Sequence, residues 1–121
     1  MQYFADSYAI IEFLKENKNY KKYFEQHEII TTKFNLMEVY YSSLIEKNKN
    51  YADKVYSIFL PNCVEVPDAI IHEAMLFKLA KRKNNISYID AIGYTIAKEM
   101  RVKFLTGDKE FRNLENVEFV K

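Results

Sequence analysis

Short apolar runs alternate along this chain with longer stretches in which apolar residues recur every three or four positions. Gln2–Ala5 (QYFA) is the first such run and predicts a strand. From Ser7 the period changes. Ile10, Ile11 and Leu14 fall on one helical face, which predicts a helix over SYAIIEFLKEN, and a second short helix is predicted over 18–26. The β-branched run HEIITT (27–32) predicts a second strand, after which Thr32 can cap a long helix reaching about Glu46. The stripe Phe34, Met37, Tyr41, Leu44 and Ile45 on that helix is expected to face the core. Another helix is predicted from about Tyr51 to Phe59, and CVEV (63–66) reads as a third strand. Pro67 suits a helical first turn, and 68–83 places Ile71, Ala74, Met75 and Leu79 at helical spacing. Ser87 opens a further helix, SYIDAIGYTIAKEM, with Ile89, Ile92, Ile96 and Met100 spaced alike. VKFLT (102–106), a short turn or helix at 108–113, and VEFV (117–120) complete the pattern. Five short strands separated by helices imply an α/β domain with a mainly parallel sheet.

Open α/β sheets place ligand chemistry beyond the carboxyl ends of their strands. That points to Asp6 after the first strand, Thr31 and Thr32 after the second, and Thr106–Asp108 after the fourth. The stretch FLTGDKEF (104–111) alone is ordinary turn chemistry, with Gly107 turning the chain and Asp108 available as a helix cap. With 17 acidic residues in 121, no single acid carries meaning. Glu38 and Asp90 gain interest because they lie on apolar faces. Glu38 falls within the Phe34–Ile45 stripe, where it must be paired, bind something, or reach water from the stripe's edge. Asp90 aligns with Ile86, Gly93 and Ala97, and it also fits a capping box opened by Ser87. If Asp6, Glu38, Asp90 and Asp108 converge, each ionised pair at 4 Å repels by about 4 kcal/mol at an effective dielectric near 20. A divalent cation would offset that repulsion, and a donor set of oxygens alone favours Mg²⁺ or Mn²⁺ over zinc.

Composition narrows the picture further. A length of 121 residues implies a single domain spanning 1–121 with a core of its own. Cys63 is the one cysteine, so there is neither an internal disulfide nor a cysteine metal cluster, which fits a reducing cytoplasm. No apolar run reaches the length of a membrane span, and MQYFADSYAI lacks the basic start of a signal peptide. The net charge of +1 neither demands nor excludes a nucleic acid partner. Basic residues cluster at Lys15–Lys22 and at Lys78–Lys83. Such runs are commonly solvated helix faces; the candidates for RNA contact are Lys78, Lys81, Arg82 and Lys83. His27 and His72 have no partner at metal-ligand spacing, and Cys63 suits a core position better than a nucleophile. Neither a phosphate-binding G-x-x-x-x-G-K-[ST] loop nor a dinucleotide G-x-G-x-x-G motif is present.

FADSYAIIEFL, NLMEVYYSSL, SYIDAIGYTIAKE and FLTGDKEF occur in an order that resembles the PIN-domain ribonucleases, and by size the VapC-type toxins among them. The resemblance covers essentially the whole chain. It implies a three-layer α/β/α fold whose five-stranded sheet has the order 3-2-1-4-5. Strands one and four are then neighbours, bringing Asp6 and Asp108 together while Glu38 and Asp90 enter the same pocket from their helices. By the same resemblance these four acids hold one or two Mg²⁺ or Mn²⁺ ions. Water activated there attacks an RNA phosphodiester, leaving a 5′-phosphate and a 3′-hydroxyl. Ser7, Asn35 and Thr106 fall where polar supporting residues occur in such sites, and Glu110 is a candidate accessory acid or a plain surface residue. The resemblance further implies a tRNA, rRNA or mRNA substrate, a cognate antitoxin over the acidic groove, and a homodimer. Two other readings stand beside it. One is a non-catalytic PIN-like module that binds RNA or protein, which has little need of four clustered acids. The other is a phospho-accepting receiver domain, which would want paired acids after strand one and a lysine after the last strand.

Overall fold

The computed structural model describes residues Met1–Lys121 and carries four parallel strands in the order β2-β1-β3-β4. These are β1 (Gln2–Ala5), β2 (Glu28–Ile30), β3 (Lys103–Thr106) and β4 (Val117–Phe119). Six helices connect or flank them: α1 (Ser7–Leu14), α2 (Lys18–Gln26), α3 (Lys33–Glu46), α4 (Lys49–Phe59), α5 (Asp68–Ala80) and α6 (Tyr88–Glu99). Single 3₁₀ turns occupy Leu60–Asn62 and Lys109–Phe111.

The period of two along the central strands sorts their side chains into two cores. Tyr3, Ala5 and Leu105 point to the side covered by α1–α4, where they meet Ile10, Tyr20, Leu36 and Val55. Phe4 and Phe104, opposite each other in register, point to the side covered by α5 and α6 and stack with ring centroids 5.8 Å apart. Both rings are fully buried, each contributing about 2 kcal/mol of transfer free energy. The result is the α/β class that the pattern of runs implied, with the helices on both faces that the resemblance implied.

The third predicted strand shrinks to one pairing, a parallel bridge between Thr31 and Cys63. The Thr31 amide donates to the Asn62 carbonyl and its carbonyl accepts from the Val64 amide. Pairing stops there because Thr32 immediately caps α3, so β2 offers no further edge, while Pro67 lacks an amide and turns the chain into α5. The bridge lies beyond β2, so the spatial order still runs as expected with one strand fewer. Smaller departures are at ends. The run at 27–32 is regular only over 28–30, α4 starts at Lys49 because Asn48 caps it, and α5 ends at Ala80.

The larger correction concerns α3. Phe34, Met37, Tyr41, Leu44 and Ile45 are exposed, with Met37, Tyr41 and Ile45 more than half so at 55%, 67% and 66%. The buried face is Asn35, Leu36, Val39 and Ser43. Two apolar arcs compete on this helix, and the one that mixes with polar residues wins. Asn35 is drawn inward by hydrogen bonds to Thr32 and Ser7, which a hydropathy pattern scores against burial. Leu79 and Met100 likewise face outward.

Both glycines are required by space. Neither has a positive φ, so Gly107 does not serve a left-handed turn. A Cβ there would lie 2.6 Å from the Val120 carbonyl oxygen and 2.2 Å from Tyr8 Cε1. At Gly93 a Cβ would meet Phe4 Cε1 at 2.7 Å and Phe104 Cε1 at 3.2 Å, so α6 lies directly on the stacked rings. Gly93→Ala and Gly107→Ala are each expected to destabilise the protein by about 1–3 kcal/mol, read by urea denaturation. Helix propensity alone predicts a gain of about 1 kcal/mol at Gly93, so a stabilised Gly93→Ala would contradict this packing.

A candidate acidic site at the carboxyl end of the sheet

Asp6 directly follows β1 and is the cap of α1. Its Oδ1 accepts from the Ala9 amide at 2.8 Å, and its Oδ2 accepts from the Thr106 hydroxyl at 2.5 Å. Its own amide donates to the Leu105 carbonyl at 3.2 Å, so the residue ties the β1–α1 turn to the end of β3. Thr106 serves both neighbouring acids, since its Oγ1 also accepts from the Asp108 amide at 3.0 Å. Asp108 in turn caps the Lys109–Phe111 turn, with Oδ1 accepting from the Glu110 amide at 3.0 Å. The turn role foreseen for Asp108 is therefore present, and it orients the carboxylate.

Asp90 sits in the first turn of α6, its amide donating to Ser87 Oγ at 3.1 Å. Glu38 comes from α3. Because the apolar stripe of that helix faces outward, Glu38 lies on the exposed side and not within a core face as its neighbours suggested. Its carboxylate is nonetheless held: Ser7 Oγ donates to Oε1 at 2.5 Å. Ser7 accepts from Asn35 Nδ2 at 3.1 Å, and Asn35 Oδ1 accepts from Thr32 Oγ1 at 2.6 Å. A relay of hydrogen bonds thus runs from the cap of α3 through the start of α1 to Glu38. Thr32, two residues past β2, stands where the sequence pointed to chemistry beyond a strand end, and its hydroxyl supports this relay as well as capping α3.

Asp6 is 1% exposed. Burial raises its pKa most. The Thr106 and Ala9 donors oppose that rise, the nearby Asp90 and Asp108 carboxylates add to it, and the outcome is about 8. Asp90 rises to about 6, through burial first, opposed by Ser87 and assisted by Asp108 and Glu38. Asp6, Asp90 and Asp108 thus act on one another, while Glu38 acts on Asp90. As the side chains stand, no three acidic, histidine or cysteine residues are close enough together to ligate one ion. In chemistry the donors fit a hard divalent cation: oxygens only, like-charged, and desolvated at Asp6.

Other candidates fall outside this group. The Glu110 carboxylate accepts from the Asn85 amide at 3.1 Å, which ties it to the α5–α6 connection. Lys78 Nζ donates to the Ile86 carbonyl at 2.5 Å and lies 4.8 Å from the Tyr88 ring centroid, which commits it to the α5–α6 connection. Lys81, Arg82 and Lys83 are exposed. His27 packs edge-on against Tyr3, and burial pushes the Cys63 thiol up, away from a reactive thiolate. Tyr8 was not anticipated. Its phenol is raised by burial and by Glu12, Asp6 and Asp108, and its ring fills the space that Gly107 leaves. The glycine beside Asp108 was the available signal.

A family model described as "PIN domain" matches residues 3–117. The protein belongs to the PIN domain family. No curated protein matches the sequence. Among solved structures, VapC20 of Mycobacterium tuberculosis, a sarcin-ricin loop cleaving toxin, is 13% identical, with 98% of this chain and 99% of that one aligned at a TM-score of 0.83. VapBC2 from Rickettsia felis, bound to a DNA fragment from its promoter, is 17% identical over 100% of both chains at a TM-score of 0.77. A toxin-antitoxin complex from Klebsiella pneumoniae is 17% identical over 95% of this chain and 94% of that one, at 0.75. At such identities the likeness establishes a shared fold. The PIN fold supplies what the site needs: a parallel sheet whose central strands β1 and β3 end side by side at Asp6 and Thr106–Asp108.

The raised carboxyls make a prediction for this PIN domain without metal. The unfolded chain releases the Asp6 and Asp90 protons near pH 4, whereas the folded protein keeps them to about 8 at Asp6 and about 6 at Asp90. Stability is therefore highest in acid and declines as pH rises through that window. Asp53 and Glu115 are lowered by Lys49 and Lys98 and act only below it. In chelator the melting temperature should fall from pH 5 to pH 8.5, and Asp6→Asn should flatten most of the fall. An unchanged slope in Asp6→Asn would contradict the assignment.

Proposed function

We propose that the protein is a divalent-metal-dependent endoribonuclease and the toxin of a toxin–antitoxin pair. The observation that carries this reading is Asp6, a buried carboxylate surrounded by like charge at the carboxyl end of a PIN sheet. Burying an acid among acids is costly unless a cation or a proton completes the site. Asp6, Glu38, Asp90 and Asp108 would hold Mg²⁺ or Mn²⁺. When bound, such an ion activates water and offsets charge on a phosphoryl group.

The chain's own residues do the positioning. Thr106 and the Ala9 amide fix both oxygens of Asp6, so its carboxylate cannot rotate away from the pocket. Ser7, itself held by Asn35, sets Glu38, and Ser87 and the Lys109–Phe111 turn set Asp90 and Asp108. Lys81, Arg82 and Lys83 are free to meet phosphates of an RNA strand, and RNA ends of the 5′-phosphate and 3′-hydroxyl type are expected. The substrate class is tRNA, rRNA or mRNA, met in the cytoplasm. No helix is long and apolar enough to cross a membrane. An antitoxin partner is supported by the similarity to structures solved as toxin–antitoxin complexes. The exposed α3 stripe supplies apolar surface of the kind that an antitoxin or a second copy of the chain would cover. A non-catalytic binding module could use Asp6 as a helix cap but has little need of Asp90 and Asp108 beside it.

With Mn²⁺, pure protein is expected to cut members of a panel of tRNAs and structured RNAs. Asp6→Asn and Asp108→Asn should each lose about 100-fold or more of that cleavage while keeping the circular dichroism spectrum of the folded protein. Asparagine is a competent helix cap, so a merely structural Asp108 would tolerate the change. A panel left uncut by the wild type, or Asp6→Asn cutting as well as the wild type, would sink the nuclease reading.

A further inference from the structure

Glu110 makes a contact that neither a catalytic acid nor a free surface residue would make. Its amide donates to Asp108 Oδ1 at 3.0 Å, while its carboxylate Oε1 accepts from the Asn85 amide at 3.1 Å, 25 residues away in sequence. This is the one hydrogen bond between the Lys109–Phe111 turn and the 81–87 connection of α5 to α6. Two residues past Asn85, Ser87 caps α6 and its hydroxyl accepts from the Asp90 amide at 3.1 Å. From the other side, Lys78 Nζ holds the Ile86 carbonyl at 2.5 Å, and the Ile86 side chain is buried.

We propose that Glu110 is a positioning residue that clamps the start of α6, and with it Asp90, against the turn that carries Asp108. The inference rests on the acidic site proposed above. The Glu110 amide holds Asp108 Oδ1 and its carboxylate holds the Asn85 amide, so one residue joins the turn that carries Asp108 to the connection leading into α6 and Asp90.

The clamp needs an acceptor oxygen and not a charge. That separates it from an accessory metal ligand, for which the carboxylate itself matters. Three measurements on the full chain decide the matter: hydrogen exchange at the Asn85 and Asp90 amides, the Mn²⁺-induced rise in melting temperature, and RNA cleavage. Glu110→Ala should speed Asn85 exchange by about 10-fold or more, shrink the Mn²⁺ effect, and lower kcat by about 10–100-fold with little change in KM, as loss of supporting groups around a metal site does. Glu110→Gln keeps the acceptor and should restore all three to within about threefold of the wild type. The clamp is overturned if Asn85 exchanges in Glu110→Ala as in the wild type. It is equally overturned if Glu110→Gln is as impaired as Glu110→Ala in Mn²⁺ response and cleavage. Exchange is read without metal or RNA, so it tests the clamp even where the wild type proves inactive, an outcome that would count against the nuclease reading alone.

Discussion

Asp6 has to remain buried, beside other acids, at the place where β1 becomes α1. Much of the surrounding architecture can be understood from that requirement. The Ala9 amide at the start of α1 and the Thr106 hydroxyl at the end of β3 meet its two oxygens, so the carboxylate joins the two central strands at their carboxyl ends. Its neighbours obey a related rule. Asp108 caps a 3₁₀ turn, Asp90 occupies the first turn of α6, and Glu38 is reached from the first residue of α1. Helix starts present unpaired amides and a positive dipole end, which lowers the cost of gathering negative charge. The parallel sheet brings those starts together because every crossover helix begins on the same side.

These donors do not cancel the cost of burial or the smaller repulsion between neighbouring acids. Asp6 and Asp90 still sit well above the usual carboxylate range. On the proposed reading either protons or a cation would relieve that cost, and their competition would make the site sensitive to pH and to metal together. The packing that holds the acids in place is stiff. Phe4 and Phe104 stack under α6 at Gly93, and Gly107 admits Tyr8 and the Val120 carbonyl beside Asp108. Neither glycine is there to relax the backbone. Both let another group come close.

Much of this was legible in the sequence, and the exceptions have physical causes. Ser7, Asn35 and Thr106 were placed by family resemblance, and the structure shows each touching an acid of the set or supporting one that does. The strand ends at Asp6 and Asp108 followed from local patterns of apolar runs and turn residues. The orientation of α3 did not, because its buried face carries Asn35 and Ser43 whereas its solvent face carries five large apolar residues. Hydropathy cannot foresee that a buried asparagine will find partners in its own helix cap and on α1. Glu38 was consequently singled out for a wrong reason, although Ser7 holds it. The third strand failed because the β-branched pattern at 63–66 says nothing of how soon its neighbour ends. Glu110 was named as a candidate accessory acid or surface residue, but its bond to Asn85 could not be foreseen, because a backbone amide leaves no trace in side-chain pattern.

The account turns on the state of one side chain, so the most direct test is the titration of the Asp6 carboxyl carbon by NMR, with and without Mg²⁺. Without divalent ions the midpoint should lie near 8, far above the ordinary range, and added Mg²⁺ should bring it down sharply as cation replaces proton. An Asp6 that titrates near 4 without metal, or whose midpoint Mg²⁺ leaves unmoved, would contradict the claim that this buried acid is the centre of a cation-dependent site.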